Sequence, residues 1–224
     1  MKTKFLVYGV FFALTISAIV GFSTSDNPLI KTQTKRTVGN NPMTVYGPAL
    51  DNPLSVLNES FEGTTFPPAG WVKINPDGGT GWNRQTNGTT PVPGFNGGVI
   101  TTPPNGGSAC AFESYTTGGA SSNDQWLVTP QLTNIQANDS LYFSLRYWPN
   151  SYRDSMEVKI STTTPTVAGM TILAWRKNFA AVTGDTSWVR YGVKIGNLVP
   201  AGSNIYIGFR ETVTDNLADG ATFS

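Results

Sequence analysis

Eight residues, Leu141-Tyr-Phe-Ser-Leu-Arg-Tyr-Trp148, alternate along the chain: Leu141, Phe143, Leu145 and Tyr147 share one face, and Tyr142, Ser144, Arg146 and Trp148 share the other. A period of two marks an extended strand with one face turned to a core, and a chain built from such segments folds as packed sheets. The same alternation recurs in Met156–Ile160, Val189–Ile195 and Ile205–Phe209, where Arg210 is expected to face outward. Shorter patches lie around Phe61, at Trp71–Ile74 and at Ala109–Glu113, and Gln125–Pro130 reads as a buried strand ended by proline. The 24 Gly and 15 Pro interrupt the chain often, and no 3.6-residue apolar stripe of helical length is present. The expected fold class is all-β, an antiparallel jelly-roll β-sandwich.

Composition excludes more than it names. With no histidine, the chain lacks the side chain that activates Ser or Cys and most often ligates zinc, so triads and zinc hydrolysis are out. A net charge of +1 leaves no footprint for nucleic acid or an anionic membrane surface. One cysteine, Cys110, cannot form an intrachain disulfide and reads as a small buried residue.

The N-terminus carries a short basic start, Met1-Lys-Thr-Lys4, then the uncharged apolar run Phe5–Phe22 and a polar Ser23-Thr-Ser-Asp26. That order reads as a secretory signal over residues 1–24, placing the protein outside the cell or on its surface. The run is about 18 residues, the lower limit for a bilayer span, so an uncleaved anchor is the alternative. Residues 25–56, with Pro28, Pro42, Pro48 and Pro53 and a basic cluster at Lys31, Lys35 and Arg36, read as an extended, solvated linker. Residues 57–224 are taken as one domain.

Oxygen-rich residues stand at Glu59 and Glu62 and in the loop Asn75-Pro-Asp-Gly-Gly-Thr-Gly-Trp82. Such a loop suits calcium, which takes six to eight oxygens in irregular geometry. It equally suits a turn chosen for its backbone preferences. An Asp/Glu pair for glycoside hydrolysis is the enzymatic alternative, but with 14 acidic residues in the chain some pair is always at hand, so no catalytic residue is assigned. For ligand binding, Tyr147-Trp-Pro-Asn-Ser-Tyr-Arg-Asp154 ends a strand with mixed aromatic and charged residues, and Trp148, Tyr152 and Arg153 are the candidates. The competing reading has Trp148 covering the outer sheet face and Tyr152 packing locally. Trp82, Trp126, Trp175 and Trp188 read as core. The sequons at Asn58, Asn87 and Asn138 are expected by chance in a Ser/Thr/Asn-rich chain.

Taken in order, Glu59-Ser-Phe-Glu62, Phe66-Pro-Pro-Ala-Gly-Trp71, Asn75-Pro-Asp-Gly78 leading to Trp82, and Ser122-Asn-Asp-Gln-Trp-Leu-Val-Thr-Pro130 resemble the cleaved adhesin, or choice-of-anchor J, domain of gingipain haemagglutinin/adhesin regions and other secreted Bacteroidetes proteins. The resemblance runs over about residues 57–224. It implies a jelly-roll sandwich with structural calcium that serves in adhesion to a protein or glycan, or as an accessory module of a larger secreted protease or glycoside hydrolase. By the same resemblance Glu62, Asn75 and Asp77 are the calcium candidates. Asn75 stands where the family has an acid, and the family's closing Leu-Asp-Asp-Val-like strand is absent, so the resemblance implies either a sandwich domain truncated before its last strand or a site completed by something else, such as Asp215 or Asp219.

Overall fold

The computed structural model describes residues 57–94, 97–104, 107–148, 153–179, 187–215 and, for the backbone alone, 5–8 and 222–223. The expected linker, Tyr152 and Asp219 lie outside the described residues. So does the expected signal, apart from that short backbone stretch.

In chain order the strands are β1 (Phe5–Tyr8), β2 (Asn58–Glu59), β3 (Val72–Ile74), β4 (Asn83–Thr86), β5 (Ala109–Ser114), β6 (Asn123–Val128), β7 (Leu132–Ile135), β8 (Ser140–Leu145), β9 (Tyr147–Trp148), β10 (Asp154–Ser161), β11 (Ile172–Phe179), β12 (Val189–Lys194), β13 (Ser203–Val213) and β14 (Thr222–Phe223). Helical structure among the described residues is limited to single turns at Tyr115–Thr117 and Val167–Gly169. All strand pairs are antiparallel. Three ladders run β11-β10-β13-β6-β3, β12-β8-β1-β2 and β4-β5-β14-β9, with β7 added to β13. The chain is an antiparallel β-sandwich, as the alternation implied.

The layers meet through aromatic rings. Phe143 of β8 packs edge-on against Phe209 of β13 at 5.5 Å and against Trp175 of β11 at 5.2 Å. Leu141, Phe143, Leu145, Leu127, Val158, Ile160, Ile205 and Ile207 are all buried in one core cluster, the inward sets that the period-two reading names. Each such side chain contributes about 1.5–3 kcal/mol by leaving water. Trp82 and Trp126 are buried as expected, while Trp175 and Trp188 sit half-buried against the core.

One expectation is refined and one needs correction. Arg210 faces outward as expected, but it does not project freely: its guanidinium lies 5.1 Å over the Trp126 ring and bridges Asp124 at 2.6 Å and Glu157 at 3.1 Å. In the register, Trp126, Arg210, Glu157 and Arg176 form one row across β6, β13, β10 and β11, so the outer face of this sheet carries a polar ladder that seals a tryptophan beneath it. Trp148 likewise is no surface ring: it is 1% exposed. The physical reason is that the strand breaks at Arg146, where β8 ends and β9 pairs with β14, and other side chains cover the Trp148 ring. Phe112 packs on the ring at 6.1 Å and the Arg146 guanidinium at 4.4 Å, the latter anchored by Thr101 Oγ1 at 2.6 Å.

Candidate functional site

Three places on the sandwich gather chemistry-bearing side chains: the loop around Asp77, a buried carboxyl cluster beneath it, and the edge where β11 meets β12.

The loop begins with a turn that Asn75-Pro-Asp-Gly favours, closed by Gly78 N–H on the Asn75 carbonyl at 3.2 Å. The Asp77 carboxylate accepts backbone N–H bonds from Gly79 at 2.9 Å, Gly119 at 3.0 Å and Asp124 at 2.9 Å, and a further bond from the Gln125 amide. It thereby ties its own loop to the 118–119 turn and to the start of β6. Gly81 N–H reaches the Thr117 carbonyl at 2.9 Å and completes the clamp. The glycines are required by space: a Cβ at Gly81, where φ is +68°, would stand 2.1 Å from Asn75 Oδ1 and 2.3 Å from Gln125 Oε1. Those two amide oxygens are buried and meet no donor as oriented.

Glu62 lies elsewhere. The chain reaches it through Phe61, a buried residue at φ +58° whose N–H, with that of Ser60, is held by the Glu59 carboxylate, and whose carbonyl accepts from Arg84 Nε at 2.8 Å. The Glu62 carboxylate accepts from Ser108 N–H at 3.1 Å, Ala109 N–H at 3.2 Å and the Ser108 hydroxyl. It therefore sits at the start of β5, whereas Asp77 sits beyond its end, a separation of about 17 Å at ~3.3 Å per residue. Glu62, Asn75 and Asp77 do not converge on one coordination shell. Both carboxylates are engaged by N–H donors, which a cation would have to displace; as arranged, these residues do not fit a shared calcium ion.

Beneath the loop, Glu113, Asp154 and Glu211 are all buried. Glu113 Oε1 accepts from Asn123 Nδ2 at 3.1 Å and from the Thr117 hydroxyl at 3.2 Å. No N–H or hydroxyl reaches either oxygen of Glu211, so the contact it makes with Glu113 and Asp154 requires a proton of its own. Burial, reinforced by Asp154, pushes the Glu113 carboxyl up to about 8. Burial with Glu113 and Asp154 as neighbours pushes Glu211 well above the usual carboxylate range. This cluster was not foreseen, although Glu113 and Glu211 at inward positions of alternating strands were the signal for it.

At the third place, the edge strands β11 and β12 face one another. Trp175, Tyr191 and Phe143 pack within 4.9–5.5 Å of one another, and Lys177 Nζ donates to the Tyr191 hydroxyl at 2.8 Å while lying over the rings of Tyr191 and Phe179. Beside them, Arg190 lies 4.6 Å over the Tyr142 ring on the outer face. β11 and β12 carry Arg176, Lys177, Arg190 and Lys194 and no acidic residue, so the edge is cationic on a nearly neutral chain. Of the ligand candidates read from sequence, Trp148 is core and Arg153 is exposed.

The chain belongs to the cleaved adhesin family: the family model, described as Cleaved Adhesin Domain, matches residues 54–210. Among solved structures it is similar to the K2 cleaved adhesin domain of Lys-gingipain, at 19% identity over 73% of this chain and 92% of that one, with a TM-score of 0.50. The K1 domain of the same protein from Porphyromonas gingivalis W83 matches at 22% identity over 70% and 88%, with a TM-score of 0.49. No curated protein matches the chain.

Proposed function

We propose that this protein is an extracellular adhesin-type domain that binds a protein or glycan ligand and has no catalysis of its own. Membership of the cleaved adhesin family supports the binding role. The observation that carries the choice of surface is the cationic aromatic edge. Flat rings at Trp175 and Tyr191 are half-buried and held rigid, so their exposed parts offer contact area at little entropic cost, and Lys177 brings charge beside them, with Arg190 on the neighbouring face of β12. Acid-bearing ligands, whether glycans or protein loops, match that edge. Export by residues 1–24 gives the location its physical route.

The test is binding of the protein to arrays of neutral and acidic glycans and to extracellular-matrix proteins, with Lys177→Ala and Tyr191→Ala beside the wild type. Each substitution should weaken capture about tenfold, roughly 1.4 kcal/mol, and salt should weaken it further. Capture that neither substitution changes would move the binding surface elsewhere on the sandwich.

A further inference from the structure

β11 is the last strand of its ladder. β10 pairs along one side of it, from Asp154↔Phe179 to Ile160↔Ile172, and among the described residues no strand pairs along the other. Alternate N–H and C=O groups of a strand point to opposite sides, so over 172–178 half of them are turned to that open side. The register places Leu173, Arg176 and Asn178 on the outer face, opposite Lys159, Glu157 and Ser155, and turns Trp175 and Lys177 inward, opposite the buried Val158 and Met156. Leu173, Arg176, Lys177 and Asn178 are all exposed, Leu173 at 50% although it is a large apolar side chain. The rings beside them are less available. Tyr191 stacks on Phe143 at 5.5 Å while Lys177 Nζ lies over the same ring at 5.2 Å, and Trp175 packs against Tyr191 at 4.9 Å and Phe143 at 5.2 Å. A sugar needs a free ring face to stack on, and these faces are engaged by the protein itself. The main chain of β11 is the larger recognition surface.

We propose that the ligand of this edge is an extended acidic polypeptide segment that adds to β11 as a further strand. The proposal rests on the reading of the edge as the binding surface and narrows its ligand from acid-bearing molecules in general to a peptide. Main-chain bonds to the edge supply affinity in this mode, and side chains at alternate positions supply selectivity. The acidic character follows from charge. Lys177 has no acidic partner among the described residues and donates to the Tyr191 hydroxyl at 2.8 Å, while Arg176 is shared between Asn178 at 3.0 Å and Glu157 at 3.6 Å. Neighbouring acids in an added strand point to opposite faces, so one meets Arg176 outside and the next meets Lys177 inside. An apolar residue two places from the outer acid lies beside Leu173. A second copy is the wrong chemistry: laid along β11 and centred on the same residues, it sets Arg176 and Lys177 against their own counterparts, and like charges opposed across two strands are destabilising. The extra residue at Ala174, skipped in the register with β10, bends the edge and further limits self-pairing.

The probe is a labelled peptide, Thr-Val-Thr-Glu-Asp-Thr-Val-Thr, which reads nearly the same in either strand direction, added to the full chain and followed by fluorescence anisotropy. It should bind saturably, slow hydrogen exchange of alternate β11 amides about tenfold, and bind about tenfold more weakly when its Glu and Asp are replaced by Gln and Asn. Two N-methylated versions identify the mode. Methyl groups on its odd positions and on its even positions block opposite strand edges, so one version should lose binding and the other keep it. Charge reversal is the second check: Arg176→Glu with Lys177→Glu should lose the acidic peptide and gain one carrying Lys-Lys in place of Glu-Asp, which a misfolded variant cannot do. A peptide that does not bind overturns the proposal, as does equal binding of the two methylated versions. Slow exchange of both alternate sets of β11 amides in the free protein also overturns it: with dimerisation in sedimentation the occupant is a second copy, and without it another segment of the same chain covers the edge. The reading of the edge is judged separately. Acidic glycans captured in a Lys177-dependent way, with no peptide bound, keep the edge as the binding surface and defeat the strand; capture of neither defeats both.

Discussion

Asp77 shows how one side chain can have two readings that only geometry separates. Its loop has the oxygen content of a calcium site, yet its carboxylate accepts three backbone N–H bonds and the Gln125 amide, so it acts as a clamp between its own loop, the 118–119 turn and β6. Hydrogen bonds to a charged acceptor are worth about 1.5–3 kcal/mol, and losing this one leaves several donors unmet. Asp77→Ala should therefore destabilise the protein by about 2–4 kcal/mol. The loss should be the same with calcium and with a chelator; a midpoint in urea that depends on calcium in the wild type and not in the variant would return the metal to this loop. The sequence could show that the loop turned, because Asn-Pro-Asp-Gly states that locally. It could not show that the loop's partners stand 42 to 48 residues away, at Gly119, Asp124 and Gln125.

At the scale of elements, legibility followed the strength of alternation. β8, β10, β12 and β13 were readable because apolar residues stand at every second place. β4, with the sequence Asn-Arg-Gln-Thr, carries no such pattern and owes its existence to pairing with β5. Trp148 was misplaced by extending the β8 alternation through Arg146, where the strand changes partners and the outward face acquires a cover. A ring enclosed by Phe112 and Arg146 is structural, so Trp148→Ala should cost about 3–5 kcal/mol. Chemical denaturation measures that loss, and ligand capture by the variant that remains folded should be unchanged.

For the whole molecule, the consequence of Glu113, Asp154 and Glu211 meeting inside the sandwich is a pH-dependent stability. A carboxyl whose folded pKa is raised, as for Glu113 at about 8 against 4.5, stabilises the fold fully below the unfolded value. That contribution declines as pH rises and is gone once pH passes the folded value. Stability should therefore fall between about pH 4.5 and pH 8, opposite to the usual acid denaturation of salt-bridged carboxylates. Glu211→Gln, which supplies a permanent donor in place of the shared proton, should flatten that slope and raise Tm at pH 8. A slope unaltered by the substitution in a pH series of melts would assign it to other groups.

The strand order has a kinetic consequence. β6 meets β13 at Val128↔Gly208, and β3 meets β6 at Ile74↔Trp126, so the central ladder cannot assemble until segments on the order of 50 to 80 residues apart have found each other. Sandwiches wired in this way fold in milliseconds to seconds rather than microseconds. If the chain is exported as an unfolded thread, as proposed, that slowness would be an advantage: the sheets could not close early, because the central ladder stays open until β13 has been made.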